Sequence, residues 1–277
     1  MEIFLSFRGK IYMPDAKSFS YSVLGKTKVS VGRLGVSGGY GAPAEAFEMA
    51  FEKGCNYFYH GSIRRNGMNL AIKNLCVKGK RDKLIIAAQI YTRGVWLFNW
   101  SFNRFLKKTG LDYIDVLLLG WYSSHPKKDI LDSCIRLKNK GLVRFIGISG
   151  HNRNAFPDFA KTEIYDLFHI RYNAAHRGAE TEVFNRLEPL NRPGIVTYTA
   201  TRWGGLINPK KMPEGEKTPH ASDCYRFVLS NPNVDVCISA PKNTEEMKEA
   251  LISLDRGPLT ENEIAWMCRI GDHLKVS

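Results

Sequence analysis

Tyr113-Ile-Asp-Val-Leu-Leu-Leu-Gly120 is a near-continuous apolar run of strand length that stops at a glycine and meets Trp121. A strand covered by protein on both faces reads this way, because neither face needs polar side chains. Working outward, a similar run recurs roughly every thirty residues, the length of one strand–helix unit. Upstream the runs cover residues 33–37, 56–59 and 84–88; downstream they cover 143–149, 167–172, 195–200 and 234–239. Helix-like segments follow at 44–52, 66–77, 97–109, 128–139, 155–161, 180–190, 221–230 and 245–254. Pro43 before the first of these and Lys53-Gly54 after it are ordinary start and stop signals. In the second, Leu70, Ile72, Leu75 and Cys76 read as the apolar side. With no break in composition, the chain reads as a single domain over 1–277: an α/β protein, a (β/α)8 TIM barrel. A β-hairpin over 18–31, turning near Gly25, and an extra C-terminal helix over 260–275 complete it.

Hydrophobic residues make up 44% of the 277 and mean hydropathy is −0.27, as expected of a globular chain with a sizeable core. No apolar run reaches about eighteen residues, so neither a span nor a membrane partner is expected. Met1 to Ser20 lacks the apolar stretch of a secretory signal, which predicts a cytoplasmic protein. The cysteines, Cys55, Cys76, Cys134, Cys224, Cys237 and Cys268, form no C-x-x-C pair, so neither a metal site nor a disulfide framework is expected. The net charge of +13 is spread over short pairs such as Lys107-Lys108 and Lys210-Lys211, without a nucleic-acid-binding motif. Nucleic acid is therefore not an expected partner.

Gly39-Tyr-Gly41-Ala-Pro-Ala44 has the spacing of a dinucleotide fingerprint, but the next strand ends in Tyr59-His60-Gly61 rather than an acid. It reads as a tight strand–helix turn. Gly147-Ile-Ser149-Gly150-His151 misses the nucleophile elbow because a histidine fills the second glycine's place. Lys242-Asn243-Thr244-Glu245-Glu246 puts a capping pair and a cation at the start of the last barrel helix, a combination that attracts phosphate. A capped helix with a solvated lysine is the plainer reading of the same residues. Tyr198-Thr199 with Arg202-Trp203, and Arg171 with His176 and Arg177, place aromatic and basic groups after the seventh and sixth strands. Groups gathered at strand ends favour a pocket that handles anions.

Taken together, Gly54-Cys-Asn-Tyr-Phe58, Asp112-Tyr-Ile-Asp115, the run Lys140 to Ser149, Arg171-Tyr-Asn173, Tyr198-Thr199 and Gly204-Gly205-Leu206 resemble the aldo-keto reductase superfamily, in its order. The resemblance runs from about Leu24 to Leu254. It implies NADP(H) as cofactor and carbonyl reduction assisted by an Asp, a Tyr, a Lys and a His. All four are changed here: their places hold Tyr59, Arg64 (approximately), Gln89 and Gly120. Glutamine cannot serve as the cation that lowers a phenol's pKa, and glycine offers no group at all. The cofactor side is better kept. The resemblance assigns Ser149 to the carboxamide, with Gly150 for the usual asparagine and His169 for the usual glutamine. It places Tyr198, followed by Thr199, against the nicotinamide, and Lys242 and Asn243 at the 2′-phosphate.

Three readings stay open. The first is an oxidoreductase with a non-standard proton donor drawn from Tyr59, His60 and Arg64 or His151. Trp121, His151, Arg171, Arg202 and Trp203 would then meet a small, anionic substrate. The second is a catalytically silent NADP(H)-binding or sensory protein. The third is a barrel enzyme acting on another phosphorylated ligand. Oligomeric state is not legible.

Overall fold

The computed structural model describes residues 18–61 and 66–276. A short antiparallel hairpin, β1 (Tyr21–Val23) and β2 (Ser30–Gly32), precedes a closed barrel of eight parallel strands. These are β3 (Leu34–Ser37), β4 (Tyr57–His60), β5 (Ile85–Ile90), β6 (Ile114–Leu119), β7 (Val143–Ser149), β8 (Leu167–Arg171), β9 (Gly194–Tyr198) and β10 (Val236–Ser239), with β10 pairing back to β3. The helices between them are α1 (Ala44–Glu52), α2 (Asn66–Val77), α3 (Val95–Thr109), α4 (Lys128–Asn139), α5 (Phe156–Lys161), α6 (Ala179–Glu182), α7 (Ala221–Leu229) and α8 (Thr244–Arg256). The extra helix, α9, is Glu261–Val276. Among the described residues no helix is long and apolar enough to cross a membrane, and no group of side chains has the makings of a metal site.

Side chains alternate along each strand, and the two sets enter different cores. Tyr57, Ile85, Ala87, Val116, Leu118, Leu167, Val196, Val236 and Ile238 fill the barrel interior, together with Leu24 and Val31 from the hairpin. The opposite set, including Phe58, Ile86, Leu117, Leu119, Ile148, Phe168 and Ile195, packs under the helices. Leu24 and Val31 therefore seal the interior at the hairpin's end of the barrel, which leaves the strands' C-terminal mouth for a site.

A second device repeats at alternate strands. Asn56, Asp115, Asp166 and Asp235, at or next to the starts of β4, β6, β8 and β10, each accept a backbone N–H from the preceding strand or hairpin. The donors are Gly32 (2.9 Å), Ile86 (2.9 Å), Ile146 (2.8 Å) and Ile195 (2.8 Å). The three aspartates also hold cations: Arg81 and Arg144 on Asp115, Lys138 on Asp166 and Arg192 on Asp235.

Two expectations need correction. The helix expected over 180–190 is only α6, followed by a single 3-10 turn at Phe184–Arg186. Val183 leaves helical geometry (φ −127°, ψ −66°), and this break lets Val183, Phe184 and Leu187 all bury. On α2 the buried stripe is Met68, Ala71, Ile72 and Leu75, at the helical spacing of three and four, whereas Leu70 stands off it and is 52% exposed. Gly39 to Ala44 forms the turn from β3 into α1, as expected.

Candidate active site

Because inward-facing residues continue past the apolar layers, inward positions near the ends of most strands open at the mouth. A cleft of about 730 Å³ lies there, lined by Ser37, Tyr59, Gln89, Ser149, His169 and Tyr198 from the strands. Trp121, the loop with Thr199 and Trp203, and Lys242, Glu246 and Glu249 at α8 form its rim.

The strand residues are joined by hydrogen bonds. The Tyr59 hydroxyl donates to Gln89 Oε1, which also accepts from the Tyr91 hydroxyl at 3.1 Å. Gln89 Nε2 donates to Ser149 Oγ at 3.0 Å, and Trp121 N donates to the same oxygen at 3.3 Å. Burial raises the Tyr59 pKa, and the neighbouring phenols of Tyr91, Tyr57 and Tyr198 raise it further. Among the described residues no cation acts in the opposite sense, so burial holds Tyr59 in its protonated form.

His169 Nε2 lies 2.7 Å from the Tyr57 hydroxyl, and its ring sits beside Tyr59 with centroids 5.3 Å apart. Burial pushes the His169 pKa down to about 3. The neutral imidazole has one donor and one acceptor nitrogen, so like a glutamine amide it can both give and take a hydrogen bond, though fewer of each. A pH dependence follows. The unfolded chain takes up a proton at His169 near pH 6.5, whereas the folded chain resists it until about pH 3. Stability from this group is therefore complete above about pH 6.5 and lost as acid approaches pH 3. Urea titrations at several pH values should show that loss in the wild type and a smaller one in His169→Gln; parallel curves for the two proteins would remove His169 as the cause.

Two glycines are explained by what surrounds them. A Cβ on Gly120 would lie 2.6 Å from Gln89 Nε2 and 2.7 Å from the Tyr91 ring, so these two side chains fill the space a larger residue would need. A Cβ on Gly150 would lie 2.0 Å from the Tyr122 carbonyl oxygen, whose own backbone N–H bonds Ser149 O at 2.8 Å. The two loops are too close for an asparagine there.

Of the residues singled out by sequence, Tyr59, Trp121, Ser149, His169, Tyr198, Thr199, Trp203 and Lys242 meet at the cleft. Asn243 stands next to it and caps α8, its Oδ1 accepting from Glu246 N at 2.8 Å. His60 is elsewhere. One residue along β4 from Tyr59, it faces the helices, 2% exposed, with Nε2 2.6 Å from Asn69 Oδ1 and its ring edge-on to Phe105. His151 is exposed beyond Trp121, with ring centroids 6.4 Å apart, and does not line the cleft. Arg171 and Arg202 are not among the residues that line it. Arg64 lies outside the described residues. Sequence reading missed Tyr91, two positions after Gln89, although the two-residue period of β5 points its side chain toward the same mouth.

Comparison with known proteins adds the family. The sequence model of the aldo/keto reductase family matches residues 41–221. A Bacillus subtilis protein named "Uncharacterized oxidoreductase YqkF" is 21% identical over 257 residues, covering 78% of this chain and 83% of that one. Among solved structures, aldo-keto reductase AKR11C1 from Bacillus halodurans, in its holo form, superposes with a TM-score of 0.75 at 18% identity, covering 91% of this chain and 96% of that one. An aldo/keto reductase from Klebsiella pneumoniae, solved in complex with NADP and acetate, gives 0.75 at 17% identity with the same coverage. At such identities the superpositions establish the fold.

Proposed function

Because the chain belongs to the aldo/keto reductase family, we propose that it is an NADP(H)-dependent oxidoreductase acting on small carbonyl or alcohol substrates with a non-standard proton donor. One observation carries this reading: a single cleft joins Tyr59, Ser149 and His169 to Tyr198 and continues to Lys242. Relatives of the same fold have been solved with NADP and with NADPH bound.

The residues present suit the dinucleotide. The cleft volume lies within the roughly 300–1,000 Å³ common to cofactor and ligand sites. Tyr198 offers an aromatic wall, and Ser149 and His169 offer hydroxyl and imidazole groups suited to an amide. Lys242 supplies a cation where the cleft meets the start of α8. Its Nζ is 3.7 Å from Glu246 Oε1, so a phosphate there competes with Glu246 for the ammonium. When bound, the dinucleotide supplies the hydride. Tyr59 holds the proton for the carbonyl oxygen, Gln89 orients that hydroxyl, and Trp121 and Trp203 stand at the rim where a substrate enters.

Fluorescence titration tests the cofactor half. Lys242→Ala is expected to raise the NADPH Kd about tenfold, equivalent to about 1.4 kcal/mol, and to weaken NADH much less. Equal losses for both nucleotides, or no binding of either by the wild type, would overturn it.

One observation favours a second reading, a silent NADP(H)-binding protein: the partner of the Tyr59 hydroxyl is the neutral Gln89, and among the described residues no cation lowers the Tyr59 pKa. Tight NADPH binding without oxidation across a panel of aldehydes and ketones would select it.

A further inference from the structure

Arg171 ends β8 on the inward-facing side, in register with Tyr198 on β9. Its Nε is buried and has no hydrogen-bond partner among the described residues. The turn after β8 bridges Asn173 to His176, and the Asn173 side chain donates to Thr199 O at 2.8 Å. Arg202 N donates to that same oxygen at 2.9 Å. One carbonyl thus ties the His176 turn to the Arg202 turn, beside Arg171. The Arg202 turn is held in an uncommon backbone shape, with Thr199, Arg202 and Trp203 all left-handed at φ 62°, 51° and 52°. Non-glycine residues adopt that shape at a cost, which gathers at sites where position matters.

No acid answers these cations. Among the described residues neither Arg171 nor Arg202 has a carboxylate partner, although nearby Arg153 and Arg177 are paired with Glu182 and Asp272. Burial first, then the charges of Arg171, Arg202, Arg153 and Lys275, lower the His176 pKa. Basic groups assembled without a counter-charge repel one another, and a planar guanidinium suits an oxyanion held by two bonds.

We propose that Arg171, His176 and Arg202 form an anion subsite that binds the carboxylate or phosphate of the substrate and so directs its carbonyl to the mouth beside Tyr198. This makes the substrate an anionic aldehyde or ketone, or the corresponding alcohol, and rests on the oxidoreductase reading above.

The test compares benzaldehyde, 4-carboxybenzaldehyde and glyceraldehyde 3-phosphate by NADPH oxidation. In the wild type, kcat/KM is expected to be at least about tenfold higher for one of the charged aldehydes than for benzaldehyde. Which one wins separates carboxylate from phosphate. Arg171→Met and Arg202→Gln should each cut that preference about tenfold through KM. A second readout needs no turnover: tryptophan fluorescence titrated with benzoate and with inorganic phosphate should report binding that both variants weaken. Anion binding lost in the variants, with no carbonyl reduced by the wild type, leaves the subsite standing while the oxidoreductase reading fails. The subsite itself falls if the wild type shows no preference for charged aldehydes and binds neither anion. It falls equally if both variants bind and discriminate as the wild type does.

Discussion

Replacing Tyr59 with phenylalanine should lower kcat for carbonyl reduction by about 10²–10⁴-fold, the range expected when a general acid is removed. On the proposed reading Tyr59 is the hydroxyl at the cleft that combines a retained proton with a fixed orientation. Its bond to Gln89 sets the direction of the oxygen, and burial among Tyr57, Tyr91 and Tyr198 keeps it neutral. A phenol held in this way is a weaker acid than one beside a lysine ammonium. Burial brings the phenol towards the acidity of an ordinary alcohol, so proton transfer to a forming alkoxide has little driving force and the wild-type rate should be modest. Steady-state kinetics of Tyr59→Phe and Tyr91→Phe decide the assignment. If Tyr59→Phe stays within about threefold of wild type while Tyr91→Phe collapses, the donor is Tyr91, which reaches the same glutamine oxygen from the loop side.

The largest effect on stability is expected at Asp235. Its carboxylate takes two bonds from Arg192, at 2.6 and 2.7 Å, and a third from Ile195 N at 2.8 Å. Arg192 is 8% exposed and Asp235 2%. Asp235→Ala leaves a buried guanidinium without its counter-charge and a β9 amide without its acceptor, a loss of about 3–5 kcal/mol. Urea denaturation of the two proteins measures it. The comparison with Asp132→Ala is informative, since Asp132 pairs with Lys128 on the exposed face of α4 and its loss should cost less than about 1 kcal/mol. Similar midpoints for both variants would show that the rim device contributes no more than a surface pair.

Much of this architecture was legible beforehand because strands covered on both faces lose their polar residues, and Tyr113 to Gly120 displays that loss plainly. Glycine or proline signals at helix ends did the same for α1. The site was legible only in part. Ser149, Tyr198 and Lys242 were found because they sit in recognisable local surroundings. His60 was grouped with Tyr59 by adjacency, yet consecutive strand residues point to opposite faces, and only one of the pair could reach the mouth. Tyr91 went unnoticed because its partner, Gln89, reads as a loss of function until the two side chains are seen filling the space beside Gly120. The repeated rim of Asn56, Asp115, Asp166 and Asp235 was equally hidden, since each residue's acceptor role depends on a neighbouring strand far away in sequence.

By itself the sequence determined the number and order of the strands and helices, the closure of the barrel and the family to which it belongs. The elements follow from local spacing of apolar residues and turn signals, and the family from motifs that stand in its order along the chain. Tertiary structure alone decided which side chains share the cleft, why Gly120 and Gly150 must stay small, and that Arg171 and Arg202 have no acid partner among the described residues. Those facts are distances between segments remote along the chain, and no local pattern encodes a distance across a barrel mouth.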